Sequence, residues 1–188
     1  RPMPLGLRLA YWLADQVLFK PLRDQLGFLR LRRAYTGGAA LGPDVFRFFH
    51  AIGVNLKQVY GQTEIIGIAF VHRDGDVRHD TVGLPIPGTE VRISEAGEIL
   101  LRSDAVCAGY WERPEATQET FGDGWLHTGD AGYLTEDGHL VVIDRLSDVM
   151  RTEKGTVFSP QFLENKLKFS PYIKEAVVFG DRKPYLAA

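Results

Sequence analysis

The stretch from Leu29 to Tyr60 reads strand, glycine loop, helix, strand, and that order commits the chain to an α/β unit. Leu29 and Leu31 alternate as a strand does, and Ala34 and Tyr35 lead into Thr36-Gly37-Gly38-Ala39-Ala40. Pro43 suits the first turn of a helix to about Ile52, and Gly53 suits its stop. Val54 to Tyr60 is the next strand. Sheets built this way hold ligands in the loops at their strand ends. Gly37-Gly38-Ala39 and Tyr60-Gly61-Gln62-Thr63-Glu64 occupy such positions.

The flanking regions read differently. Leu7 to Leu26 has apolar residues at helical spacing, with Pro21 as a kink or a break between two helices. From about Val71 short β candidates take over: Val91 to Ile93, Glu98 to Arg102, Ala131 to Leu134 and Leu140 to Ile143. Asp74-Gly75 marks a turn, and Asp137-Gly138 marks a hairpin. Val82 to Gly88 is too rich in Pro and Gly for regular structure. This region is expected to form an all-β subdomain of short twisted strands, barrel-like in form. Beyond Asp148, Val149 to Thr152 reads as a short strand and Ser159-Pro160 as the start of a helix over Gln161 to Phe169. Glu175 to Gly180 reads as a final strand. The fold class expected is therefore α/β plus β, with a small α+β portion after Asp148.

A formal charge of −2 gives no electrostatic footing for nucleic acid. One region is biased: Arg1, Arg8, Lys20, Arg23, Arg30, Arg32 and Arg33 face only Asp15 and Asp24. A solvated helix face accounts for that bias, and a site for an anionic lipid surface is the second reading. Cys107 is the only cysteine, so no internal disulfide can form and a reducing, cytoplasmic setting is expected. No apolar run approaches the roughly 20 residues that span a bilayer. The start at Arg1 without a methionine and the stop at Ala188, just after Tyr185-Leu186, read as the ends of a piece of a longer chain.

The pentapeptide Tyr60 to Glu64 combines an aromatic face, a hydroxyl and a carboxylate at a strand end. Those groups suit a nucleotide with its Mg²⁺. They also suit a core tyrosine followed by a helix start, where Glu64 would favour the N-terminal dipole. Gly37-Gly38-Ala39 lets a flat ring approach the backbone, and by itself it reads as an ordinary tight turn. Asp130, after Thr128-Gly129, can accept from two vicinal hydroxyls or close a local turn. Arg145 can contact a ligand, or pair with Asp144 or Asp148. Trp125 reads as packing and His127 as structural. His72, Asp74, Asp76, His79 and Asp80 lie around a glycine turn without metal-ligand spacing, and read as a solvated hairpin.

Three segments in sequence change the weight of these readings: Tyr60 to Glu64, then Trp125-Leu126-His127-Thr128-Gly129-Asp130, then Asp144-Arg145-Leu146-Ser147-Asp148. In this order the chain resembles the adenylate-forming, or AMP-binding, superfamily of acyl-CoA synthetases, luciferases and peptide-synthetase adenylation domains. Within it the likeness points to long-chain fatty acid–CoA ligases, on the overall character of Leu18 to Leu41 and Ser170 to Leu186.

The resemblance implies a role for each residue. Gly37, Gly38 and Ala39 form one wall of an adenine pocket, and Tyr60, Gly61, Gln62 and Thr63 another. Tyr60 stacks on adenine, Thr63 bonds the α-phosphate, and Glu64 holds Mg²⁺. Thr63 and Glu64 are thus the catalytic candidates. Asp130 takes the ribose hydroxyls, Arg145 contacts ribose and phosphates, and Asp148 is a hinge. The implied substrates are ATP, a fatty acid and CoA. The implied division is 1–80 for an α/β part, 81–147 for a β-rich part, and 148–188 for the start of a C-terminal domain.

Two departures accompany the likeness. The loop Thr152-Glu153-Lys154-Gly155-Thr156-Val157 has a single glycine where many relatives carry a Gly-Gly pair, although Ser159-Pro160 and Glu164 fit the helix that follows. The family's phosphate loop, expected upstream of Gly37, and its C-terminal lysine are not found here, since Lys183 stands beside Pro184. The expectation is a fragment of an ATP-dependent long-chain fatty acid–CoA ligase, inactive by itself. The alternatives are an aryl, amino-acid or acyl-carrier-protein ligase, and a non-catalytic nucleotide- or lipid-binding homologue.

Overall fold

The computed structural model describes residues 4–38, 41–168, 170 and 172–188. The chain divides into two compact units, Arg1–Gln58 and Val59–Ala188.

In the first unit, α1 (Leu5–Ala14) runs through a wide π turn (Asp15–Phe19) into α2 (Lys20–Gln25). Pro21 stands in the first turn of α2. Proline lacks the N–H an uninterrupted α-helix would need there, and the wide turn before it absorbs the mismatch. β1 (Ala34–Thr36) is shorter than the strand expected from Leu29. Leu31 N–H instead bonds Phe28 O at 3.1 Å, a turn in place of an extended ladder. α3 (Pro43–Ala51) begins on Pro43, carries Asp44 in its first turn, and gives way to Gly53 at φ 84°. Arg23 donates to Ile52 O and pairs with Asp15 at 2.8 Å, so its guanidinium satisfies the carbonyl end of α3. β2 (Leu56–Tyr60) lies parallel to β1, with Ala34 opposite Leu56 and Thr36 opposite Gln58. That parallel pair joined by a helix is the expected α/β unit.

In the second unit, the last residues of β2 pair antiparallel with β3 (Phe70–Val71), which pairs with β4 (Leu84–Pro85). Leu84 and Pro85 thus enter a ladder within a segment expected to be irregular, at the edge position where a proline does no harm. The main sheet runs β5 (Glu90–Ile93), β6 (Glu98–Arg102), β7 (Leu126–Leu134), β8 (Leu140–Arg145), each strand antiparallel to its neighbour. It is an open sheet, and no closed barrel forms among the described residues. Closure would require β5 to meet β8, and these two strands stand at opposite edges of the sheet without pairing. α4 (Pro114–Phe121), an element not expected from the sequence, joins β6 to β7; it begins on Pro114 with Glu115 in its first turn, a proline-led start with an acid favouring the helix dipole.

The core gathers Ile65, Ala69, Phe70, Val82, Ile99, Leu101, Leu126 and Leu140. Gly132 has no room for a side chain, because a Cβ there would stand 2.4 Å from Val141 O, at the bulge in β7. Beyond the sheet, β9 (Met150–Arg151) and β10 (Val157–Phe158) form a small antiparallel pair ahead of α5 (Pro160–Lys168). The Ser159 hydroxyl accepts Phe162 N–H at 2.9 Å, the expected cap. Residues 175–180 do not form the expected strand. Phe179 makes an isolated bridge to Ala187, and Val178 N–H bonds the Glu164 carboxylate at 2.8 Å, where a ladder partner would otherwise stand. Among the described residues no helix is long and apolar enough to cross a membrane.

Candidate functional site

The second unit brings Tyr60, Asp130 and Arg145 together. β2 ends at Tyr60, and the chain doubles back at once: Gly67 N–H bonds Gln62 O at 2.9 Å and Ala69 N–H bonds Tyr60 O at 2.8 Å. This return passes so close to Gly61 that a Cβ there would lie 2.4 Å from Gly67 O. Only glycine fits. Thr63–Ile65 forms one 3₁₀ turn, closed by Ile66 at φ 56° and Gly67 at φ 96°. Glu64 is half-buried there, and Thr63 is exposed.

The Tyr60 ring packs against Phe70 with centroids 6.1 Å apart, and its hydroxyl donates to Asp130 Oδ2 at 2.7 Å. Burial, and then the Asp130 charge, push the Tyr60 phenol well above its ordinary value, so it stays a donor. Asp130 and Arg145 face each other across β7 and β8. Arg145 reaches Asp130 Oδ1 at 3.1 Å and Thr128 O at 3.2 Å. Of the two readings for Arg145, a pair with Asp144 or Asp148 is replaced by this pair with Asp130. Asp144 accepts from Ser159 and from Arg145 N–H, and Asp148 accepts from Ser147 at 2.9 Å. Asp148 lies in the exposed turn Leu146–Asp148, between β8 and β9.

The turn that presents Asp130 is tied from below. Thr128, 4% exposed, donates to Ile99 O at 2.6 Å and accepts Asp130 N–H at 3.1 Å. Glu98 takes Gly129 N–H at 2.9 Å and His127 Nδ1 at 3.1 Å. Burial pulls the His127 pKa down, but Glu98 and Asp123 outweigh it and hold the imidazole above its ordinary value. His127 is therefore a strut of the turn, as expected. Trp125 is packing, with the Arg92 and Arg102 guanidiniums 4.7 and 4.6 Å from its ring.

Glu64 has a partner that no sequence motif marks. The Tyr110 hydroxyl donates to its Oε1 at 2.6 Å, and Cys107 N–H donates to its main-chain oxygen at 2.8 Å. That hydrogen bond, and then burial, hold the Tyr110 phenol above its ordinary value. The signal available was Gly109-Tyr110-Trp111, a glycine before two aromatic residues, which carried no motif. Among the described residues no three His, Cys, Asp or Glu side chains gather as a metal site. A Mg²⁺ ion takes one or two protein carboxylates and completes its shell with phosphate oxygens and water, so a single Glu64 carboxylate suits it.

Gly37 and Gly38 follow β1 in the first unit, both exposed, with Gly38 at φ 83°. Ala39 lies outside the described residues. Of the His/Asp group around Gly75, His72 and Asp76 belong to a largely buried chain: His72 Nε2 to Thr81 Oγ1 at 3.1 Å, Thr81 Oγ1 to His139 Nδ1 at 3.1 Å, His139 Nε2 to Asp76 at 3.0 Å.

A family described as AMP-binding enzyme matches residues 8–111. The long-chain-fatty-acid–CoA ligase FadD15 of Mycobacterium bovis is 38% identical over 184 residues, covering 98% of this chain and 30% of the relative. The O-succinylbenzoate coenzyme A synthetase of Bacillus subtilis, solved with ATP and magnesium ion, aligns with a TM-score of 0.70 at 27% identity, over 83% of this chain and 35% of that one. The amide bond synthetase McbA of Marinactinospora thermotolerans aligns at 0.72 and 31% identity, over 93% and 37%. This chain thus spans about 30% of the length of the curated relative it matches.

Proposed function

We propose a function for this chain from one premise: it belongs to the AMP-binding enzyme family. It forms part of an ATP-dependent ligase that joins a fatty acid to CoA through an acyl-adenylate. In the first step a carboxylate oxygen attacks the α-phosphorus of ATP and pyrophosphate leaves. In the second the CoA thiolate attacks the acyl carbon, the acyl–phosphate bond breaks, and AMP leaves. Splitting the transfer replaces one difficult displacement with two easier ones.

The observation that carries this reading is the Tyr60–Asp130–Arg145 constellation. Asp130 has each oxygen engaged once, and each retains capacity to accept a ribose hydroxyl. Tyr60, anchored through its hydroxyl, offers a ring face fixed in place for adenine. Arg145, 60% exposed, supplies a cation that can swing between Asp130 and a phosphate. Thr63 presents a hydroxyl for the α-phosphate, and Glu64 a carboxylate for Mg²⁺. That ion, when bound, stabilises the charge building on the phosphate oxygens. Gly37, Gly38 and Ala39 are the further adenine candidates of this reading, and Asp148 its hinge.

The division into 1–80, 81–147 and 148–188 belongs to the same reading, as does a cytoplasmic setting, with peripheral contact to the inner face of a membrane as the second reading. In the same reading the segment alone is expected to have no ligase turnover and to bind nucleotide weakly.

The test uses the ligase that carries this segment, in a pyrophosphate-release assay with palmitate, an aryl acid and a panel of amino acids. Release with palmitate, lost in Asp130→Ala, supports the reading. Release with amino acids but not palmitate would replace fatty acid by amino acid, and release unaffected by Asp130→Ala would remove the constellation from the site.

A further inference from the structure

Helix α4 supports a side chain that touches Glu64. Gly109 runs at φ 139°, and a Cβ there would meet Thr117 Cγ2 at 2.5 Å, so the loop reaches the helix only as glycine. Tyr110 N–H donates to Thr117 Oγ1 at 2.9 Å, and that hydroxyl donates to Arg113 O at 2.8 Å. The Tyr110 ring rests on Phe121 of the same helix, with centroids 5.7 Å apart and planes tilted by 48°. From that platform the phenol donates to Glu64 Oε1 at 2.6 Å. Three residues earlier, Cys107 N–H holds the Glu64 main-chain oxygen. Glu64 is therefore clasped at backbone and carboxylate by one short loop, which α4 braces.

A glutamate without such a clasp samples several rotamers and can offer a cation one oxygen or two. A donor fixed on Oε1 removes that freedom before the cation arrives and leaves the second oxygen to ligate. We propose that Tyr110 is the positioning residue for the Glu64 carboxylate, setting it to bind the divalent cation of the adenylation step through one oxygen. The inference rests on the reading that Glu64 is a metal ligand. It assigns Tyr110 a role on the cation alone, with no contact to nucleotide or acid. Groups that orient a ligating carboxylate in this way contribute on the order of tenfold or more to metal affinity.

The test compares Tyr110→Phe, Glu64→Gln and the double variant in the ligase that carries this segment. Phenylalanine keeps the ring on Phe121 and removes only the hydroxyl. The first readout is Mn²⁺ binding at saturating AMP, followed by the electron paramagnetic resonance of free Mn²⁺. The second is the Mg²⁺ concentration giving half-maximal pyrophosphate release at saturating acid. Tyr110→Phe is expected to weaken both by roughly tenfold while leaving AMP affinity without metal unchanged. In the Glu64→Gln background the same change is expected to add nothing, a non-additivity that a general loss of folding does not produce. Unchanged Mn²⁺ affinity in Tyr110→Phe, with loss in Glu64→Gln, overturns the role of Tyr110. Unchanged affinity in Glu64→Gln overturns the reading beneath it. Additive losses in the double variant assign Tyr110 to packing and overturn the inference.

Discussion

Asp130 takes the Tyr60 hydroxyl on one oxygen and the Arg145 guanidinium on the other. Removing the carboxylate unties both and leaves the largely buried phenol without its acceptor. Asp130→Ala is expected to lower AMP affinity in the parent ligase by at least about tenfold and to cost about 1–3 kcal/mol of stability, the range for an unpaired buried polar group. Isothermal titration with AMP and urea unfolding check the two parts; retained affinity would mean the ribose is held elsewhere. Gly61 is decided by space and not chemistry. A methyl group there meets the main-chain oxygen of Gly67 and the nitrogen of Ala69, neither of which can rotate away. Gly61→Ala is expected to cost about 3 kcal/mol, the upper end of overpacking, and to drop the thermal midpoint by several degrees. A midpoint within a degree of wild type would show that the return loop is looser than its geometry implies.

Elements announced themselves in the sequence where a local signal and the packing agreed. Pro43 and Gly53 bracket α3, Asp137-Gly138 turns β7 into β8, and Ser159 caps α5. Ser159→Ala is expected to cost about 1–3 kcal/mol through loss of that cap and of the hydroxyl's bond to Asp144. Faster amide exchange at Phe162 reads out the effect, and unchanged protection there would contradict it. The signals failed where partners lie far along the chain. The apolar run Ala176 to Phe179 has strand composition, but Glu164 takes its amide and no ladder follows. Helix α4 is polar, and its value lies in the Thr117 and Phe121 contacts to Tyr110, which spacing does not reveal. Tyr60, Asp130 and Arg145 were legible as site candidates because a family motif marked each. Their mutual pairing was not, since it depends on β7–β8 register.

The loop from β3 to β4 adds a pH dependence of its own. His72 is 1% exposed, and burial, with His139 nearby, lowers its pKa from 6.5 to about 4; His79 adds to this and Asp76 opposes it. Between those values the unfolded chain takes up a proton that the folded chain refuses. Stability therefore falls as pH drops through that window, by up to about 1.4 kcal/mol per pH unit from this group. Urea midpoints at pH 7, 6 and 5 should show the decline, and His72→Gln should flatten it; an equal slope in the variant would assign the effect to other groups.

At the scale of the molecule, the two units bury very different amounts of apolar surface. The core from Ile65 to Leu140 lies wholly in Val59–Ala188. Arg1–Gln58 buries Phe46, Ile52, Val54 and Leu56 among its described residues, while α1 buries none and Leu5 stands 82% exposed. A segment of that length with so small a core is marginal as a domain of its own. Residues 59–188 expressed alone are expected to fold with one cooperative thermal transition, and residues 1–58 to show helical signal without one. Tyr60, Glu64, Tyr110, Asp130 and Arg145 all travel with the folding unit, whereas Gly37 and Gly38 do not. The 59–188 piece is therefore expected to retain weak AMP binding that Asp130→Ala abolishes, seen as AMP-dependent shifts of its amide NMR signals. A broad, probe-dependent melt of 59–188 would show that its core does not fold by itself.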